Sequence, residues 1–263
     1  MPAMDGAAMI ARVLEAASPR PDSSSSAHTK NSYAIRFAEH FAAAMAEGLR
    51  PRFDTIEATA SRNAGSVRGV QQLDLNYSTP QLGLGLGVSL KSVHIREGKG
   101  AGRYTHNMKR NEEELRIEAI GYHLRQPYAV MVGVLCLPFD SCDDARTGTS
   151  SSSFGSWIRH LRPFGGRERP TDGPDLFERP YVALYQPDGS DLRFFDTRTA
   201  PPRNGFPAFE GAIDGSYGVP RRALSYGEFL DAVHHLYLRR NSLKFHWADG
   251  DQRPLDPAGI EDG

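Results

Sequence analysis

Asp74, Ser89 and Lys91 are the residues through which this chain could act on a phosphate. Between Gln71 and Tyr77 the side chains alternate, Leu73, Leu75 and Tyr77 on one face and Gln72, Asp74 and Asn76 on the other, the period of a half-buried strand. A second run, Leu84 to Ile95, sets Leu84, Leu86, Val88 and Leu90 against Gly85, Gly87, Ser89 and Lys91. Ser78-Thr79-Pro80 between them is turn chemistry, so the two strands are expected to pair antiparallel. Ser89 and Lys91, two apart on a strand, then point to the same face. Carboxylates on adjacent strands can grip a hard cation that polarises a phosphate oxygen and activates water. A lysine beside them can orient that water and steady the charge that develops on the phosphate.

The surrounding elements must hold those strands in place. Apolar positions Ile35, Phe37, Ala38, Phe41, Ala42 and Met45 predict a helix over Tyr33 to Glu47, closed by Gly48 and Pro51. A second helix is expected from about Lys109 to Gln126, ended by Pro127, followed by a continuous apolar run, Tyr128 to Leu137, that suits a central strand. Tyr181 to Tyr185 and Leu192 to Asp196 flank Pro187-Asp188-Gly189 and predict a hairpin. Phe229, Val233, Leu236 and Tyr237 give a last helix over Tyr226 to Arg240. Residues 18 to 30 are polar and rich in Pro and Ser, so residues 1–30 are read as a flexible segment containing a short Ala-rich helix. Residues 31–263 are read as one α/β domain, a mixed β-sheet flanked by helices, with a flexible insertion at about 140–175.

The order helix, strand with an acid, strand ending in Ser-x-Lys, helix, buried strand, over roughly residues 31 to 138, resembles the core of the PD-(D/E)xK nuclease superfamily, the restriction-endonuclease-like fold. The resemblance implies a DNA endonuclease of restriction or phage-defence type that depends on Mg²⁺, or on Mn²⁺ in its place. Asp74 would bind the metal, and Lys91 would activate or orient water. The chain departs from the commonest pattern at Ser89, which stands where the second acid is expected. A hydroxyl holds Mg²⁺ far more weakly than a carboxylate, so a ligand must come from elsewhere or the site is inactive. Some restriction enzymes of this superfamily carry Ser-x-Lys and bring the glutamate from the following helix. Here that helix offers Glu112, Glu113, Glu114 and Glu118. Glu114 and Glu118 fall one turn apart beside Leu115, Ala119 and Tyr122, which places Glu118 first and Glu114 second. Glu39 on the first helix is a further candidate, since many members place a glutamate there. The alternative is a non-catalytic nucleic-acid-binding or interaction module on a decayed nuclease fold.

Between the strand and the helix, Arg96, Lys99, Arg103, Lys109 and Arg110 stand with Tyr104, His106 and Asn107 against one acid, Glu97. Such a loop is expected to straddle a phosphate backbone. With Lys plus Arg at 31 and Asp plus Glu at 32, the net charge of -1 excludes a wholly basic binder but not a basic patch. Gly83-x-Gly85-x-Gly87 runs into Val88 with no Walker Gly-Lys-Ser/Thr, so no nucleotide loop is read there. The pattern Gly-x-Ser-x-Gly is absent, and His94, His106, His123 and His234-His235 have no paired metal-ligand spacing. The 2 cysteines, Cys136 and Cys142, form neither a disulfide framework nor a zinc knuckle, so a reducing cytoplasm is expected. No stretch is apolar for long enough to cross a bilayer, and double-strand cutting would call for a homodimer.

Overall fold

A computed structural model describes residues 5–59, 73–79, 83–97, 102–144, 152–199, 223–241, 244–248 and 251–255. Six strands, β1 (Glu57–Ala58), β2 (Leu75–Thr79), β3 (Gly83–Ser92), β4 (Val130–Pro138), β5 (Arg179–Tyr185) and β6 (Leu192–Asp196), form one mixed sheet in the order β1-β2-β3-β4-β5-β6. β1, β2 and β3 run antiparallel in succession, β3, β4 and β5 are parallel, and β6 returns antiparallel to β5. Parallel neighbours need a crossover on a sheet face. Helix α3 (Met108–His123) makes the one between β3 and β4, and α4 (Ser153–Leu161) lies in the one between β4 and β5. Strands β7 (Lys244–Ala248) and β8 (Asp251–Leu255) make a separate two-stranded ladder. The fold is α/β.

The sheet is covered on both faces. Helices α1 (Gly6–Ala17), α2 (Ala27–Leu49) and α5 (Tyr226–Arg240) pack on one, against Val88, Leu90, Val130, Val132 and Val134. Helices α3 and α4 pack on the other, against Met131, Leu135, Leu137, Val182 and Leu184. Every residue of β4 is buried, because both of its faces meet helices, and this is why its sequence is apolar without alternation.

Several expectations need correcting. Helix α1 buries Met9, Ile10, Val13 and Ala17 in the core, so residues 1–30 are not simply a flexible segment. The Ser-rich stretch after it ends in an N-cap: Ser26 Oγ accepts from Thr29 N–H, and α2 therefore begins at Ala27 rather than Tyr33. In the supposed insertion at 140–175, Ser152 caps α4, and Phe154, Trp157, Ile158 and Leu161, spaced on one helical face, are buried. Leu73 and Leu75, moreover, do not share a face. Leu75 and Tyr77 pack on the face covered by α1, α2 and α5, whereas Leu73 packs on the face covered by α3 and α4, because the chain bends at Asp74 before β2 begins. A register shift between Tyr77 and Ser78 likewise turns Leu84 away from the face of Leu86.

Candidate active site

Asp74 sits at the entry to β2 and is tied to β3 twice. Its N–H donates to Val88 O at 3.1 Å, and its Oδ2 accepts from Leu90 N–H at 2.6 Å. Leu75 pairs with Val88, so the same register carried one residue further sets Asp74 opposite Ser89. Burial pushes the Asp74 carboxyl up to about 6, against the Leu90 N–H and Lys91, which favour its charge, while Glu118 adds to the rise.

Lys91, near the end of β3, faces α3. Its Nζ lies 2.9 Å from Glu118 Oε1 and 3.4 Å from Glu114 Oε2. Burial works against the Lys91 charge, but Glu118, together with Asp74 and Glu114, outweighs it and raises the ammonium above its ordinary value. Glu114 is drawn the other way: burial opposes its charge, yet Arg110 at 2.8 Å and Lys91 hold its carboxyl below the usual range. The helix can supply both acids because Leu115 and Ala119 are buried on the sheet, which turns Glu114 and Glu118 toward β3. Glu118 is only 7% exposed, and its Oε2 is buried without a hydrogen-bond partner. The Ser89 hydroxyl is also fully buried and unpartnered.

The other helix acids serve elsewhere. Glu112 is buried between Arg116 at 3.3 Å and His160 at 3.7 Å, and Glu113 is exposed beside Lys109. Glu39 is half-buried on α2 and is not part of the cleft lining described below.

The basic loop divides into an inner and an outer part. Tyr104 is buried rather than exposed to phosphate: its hydroxyl donates to the Asp140 carboxylate, its N–H to Ser153 Oγ at 2.9 Å, and its carbonyl accepts from Trp157 Nε1 at 2.8 Å. Arg96 pairs with Asp140 at 2.9 Å and lies 5.5 Å from the Tyr104 ring centre, while Arg103 Nη2 donates to Ser156 Oγ. These three therefore lock the loop to the end of β4 and to α4. Asn107, in the left-handed region at φ 56°, turns the chain into α3, and Lys109 and Arg110 stand exposed on its first turn. Lys99 lies outside the described residues.

A cleft of about 590 Å³ opens beside Lys91 and Glu114. One wall is the face of α2 carrying Lys30, Ala34 and Ile35, and the other is the start of α3 with Asn107, Arg110 and Asn111. At its floor His94 is buried and held neutral: burial pushes its ring down to about 3, and its Nδ1 lies 2.8 Å from the Tyr185 hydroxyl.

Asp74 and Glu118 offer carboxylate oxygens, the hard donors that Mg²⁺ takes, and the orphaned Glu118 Oε2 has a lone pair to give. Among the described residues no three His, Cys, Asp or Glu side chains are grouped to hold a metal. The protein's share would then be two carboxylates, with water and phosphate completing the shell, the usual manner of Mg²⁺ binding. Comparison with protein-family models, with curated proteins and with solved structures gives no match.

Sequence reasoning passed over one buried group. Glu178 is fully buried and accepts from Met131 N–H at 2.7 Å, with Arg167, Arg240 and His123 each within 3.4 Å. Its partners come from four separate parts of the chain, so no local pattern announces it. Among the described residues no helix is long and apolar enough to cross a membrane.

Proposed function

We propose that this chain is a metal-dependent endonuclease that hydrolyses DNA phosphodiester bonds. One observation carries the reading: a lysine on β3 is clasped by a helix glutamate, Lys91 Nζ to Glu118 Oε1 at 2.9 Å, with Asp74 bonded to the same strand one residue away. The order α2, β2 led by Asp74, β3 bearing Ser89-Leu90-Lys91, α3 and buried β4 supports the resemblance to the PD-(D/E)xK superfamily. Glu118 supplies from the helix the carboxylate that Ser89 lacks on the strand.

In this reading Asp74 and Glu118 would hold Mg²⁺ or Mn²⁺, which polarises a phosphate oxygen and lowers the pKa of water when bound. Lys91 donates to the phosphate or to the attacking water and steadies the charge that builds on the phosphoryl oxygens. Arg110, which lines the cleft, and the exposed Lys109 next to it draw in the neighbouring backbone phosphates. A cytoplasmic setting suits the two buried free thiols, and a homodimer suits cutting of both strands.

The burial of Ser89 where an acid is expected favours the second reading, a non-catalytic DNA-binding module on a decayed site. Plasmid DNA incubated with the pure protein and Mg²⁺ separates the two. Nicking that EDTA abolishes supports the enzyme, and binding without nicking supports the module.

A further inference from the structure

The cleft beside Lys91 contains a second ionisable pair that the lysine and carboxylate chemistry leaves unused. Glu97 and His106 both line it. His106 Nδ1 lies 3.2 Å from Glu97 Oε2, and the other Glu97 oxygen, Oε1, lies 3.4 Å from Lys30 Nζ across the cleft on α2. The backbone brings the pair together. Glu97 N–H and Arg103 N–H each donate to the other's carbonyl at 2.9 Å. Gly102 has φ +67°, and a Cβ there would meet the Arg96 carbonyl carbon and the Glu97 nitrogen at 3.1 Å, so this close approach needs glycine. The His106 side chain is 53% exposed, whereas Glu97 is 32% exposed and braced from both sides.

An imidazole with a carboxylate against Nδ1 has its orientation and tautomer set, which leaves Nε2 to exchange a proton with whatever enters the cleft. The charged groups that share the cleft are Lys30 from α2, Lys91 from β3, Glu97 from the loop, and Arg110 and Glu114 from α3. Three of the five are cations, which suits a bound phosphodiester.

We propose that His106, positioned by Glu97, is the general acid that protonates the leaving oxygen; the proposal rests on the phosphodiester reading above. Water attacks phosphorus, forms the new P–O bond and loses a proton to solvent. The opposite P–O bond breaks, its electron pair passes to the leaving oxygen, and that oxygen takes the proton from His106 Nε2. Solvent then returns a proton to the imidazole. Lys91 answers the charge on the phosphoryl oxygens and His106 the charge on the leaving group, from different positions along one cleft.

The test compares an ordinary DNA oligonucleotide with ones in which sulfur replaces the bridging 3′ or the bridging 5′ oxygen at the cut position. A thiolate leaves without being protonated. His106→Ala should cleave the oxygen ester roughly 10²-fold more slowly or worse. It should cleave the matching sulfur ester at the wild-type rate and regain activity with added imidazole. Glu97→Gln should show a smaller loss of the same selectivity. Because His106 is half exposed, both variants should keep the wild-type Tm; should the alanine variant misfold, His106→Gln replaces it in the same comparison. An equal loss on both esters, or no loss on either, overturns the proposal while leaving the nuclease reading intact. Failure of the wild-type protein to cut any of these substrates overturns both.

Discussion

Lys91 Nζ and Glu118 Oε1 lie 2.9 Å apart, a strand residue and a helix residue closing a largely buried ion pair. Glu118 is the better sheltered of the two acids on Lys91, at 7% exposure against 33% for Glu114. Burial makes such a pair sensitive to the loss of either partner, because the remaining charge stays desolvated.

Glu118→Gln keeps the shape and removes the charge. Cleavage should fall by roughly 10²-fold or more while DNA affinity changes little, since the rim cations are untouched. Gel shift and cleavage measured on the same preparation check this. Loss of binding together with cleavage would return Glu118 to a structural role.

Asp74 makes a prediction about pH. Its folded pKa, about 6, lies above the ordinary 3.8, so folding favours the protonated form. That contribution is whole below pH 4, is lost as pH rises through about 6, and stays lost above. Asp74→Asn mimics the protonated carboxyl and still accepts from Leu90 N–H. In EDTA it should therefore be more stable than wild type at pH 8, by on the order of 2–3 kcal/mol, and nearly equal to it at pH 3.5. Thermal unfolding at the two pH values gives the answer; a variant less stable at pH 8 would contradict the burial of a charged Asp74. Cleavage by this variant should be abolished.

Glu178→Ala should cost about 3–5 kcal/mol, because Arg167 and Arg240 would be left buried without their carboxylate. Chemical denaturation with matched m-values measures it. A loss below about 1 kcal/mol would mean that water reaches the two guanidiniums.

Among the described residues of the loop, Lys109 and Arg110 are the exposed cations and Arg96 is an inner one. Lys109→Gln with Arg110→Gln should flatten the salt dependence of DNA binding by a slope of about 0.9 per contact. Arg96→Gln should instead lower Tm, because it breaks the Asp140 pair and the Tyr104 contact. An unchanged salt slope in the double variant would take the rim away from phosphate.

Period and composition made the strongly patterned elements legible. β4 is continuously apolar because helices cover both its faces; the β5 and β6 hairpin follows its Pro-Asp-Gly turn; and α5 begins where Ser225 and Glu228 form a capping box. That Glu118 turns toward β3 is legible as helical spacing beside Leu115 and Ala119, whereas its contact with Lys91 is not. Tyr104 was not legible, because its partner Asp140 is 36 residues away and a tyrosine among arginines looks like a phosphate contact. Helix α1 was hidden by the Ser-rich turn that follows it, whose composition resembles a linker but whose last serine caps α2. Glu97 and His106 escaped because nine positions separate them and only the backbone reversal at Gly102 and Arg103 brings them together.

If Asp74, Lys91 and Glu118 form one hydrolytic site, removing the Glu118 charge must disable cleavage by the whole protein. The most direct measurement is conversion of supercoiled plasmid by wild-type protein and by Glu118→Gln, each with Mg²⁺, Mn²⁺ and EDTA. Wild type should give nicked or linear DNA with either metal and none in EDTA, and the variant at most a trace. Cutting by Glu118→Gln at the wild-type rate, or cutting by wild type that persists in EDTA, would contradict that single site.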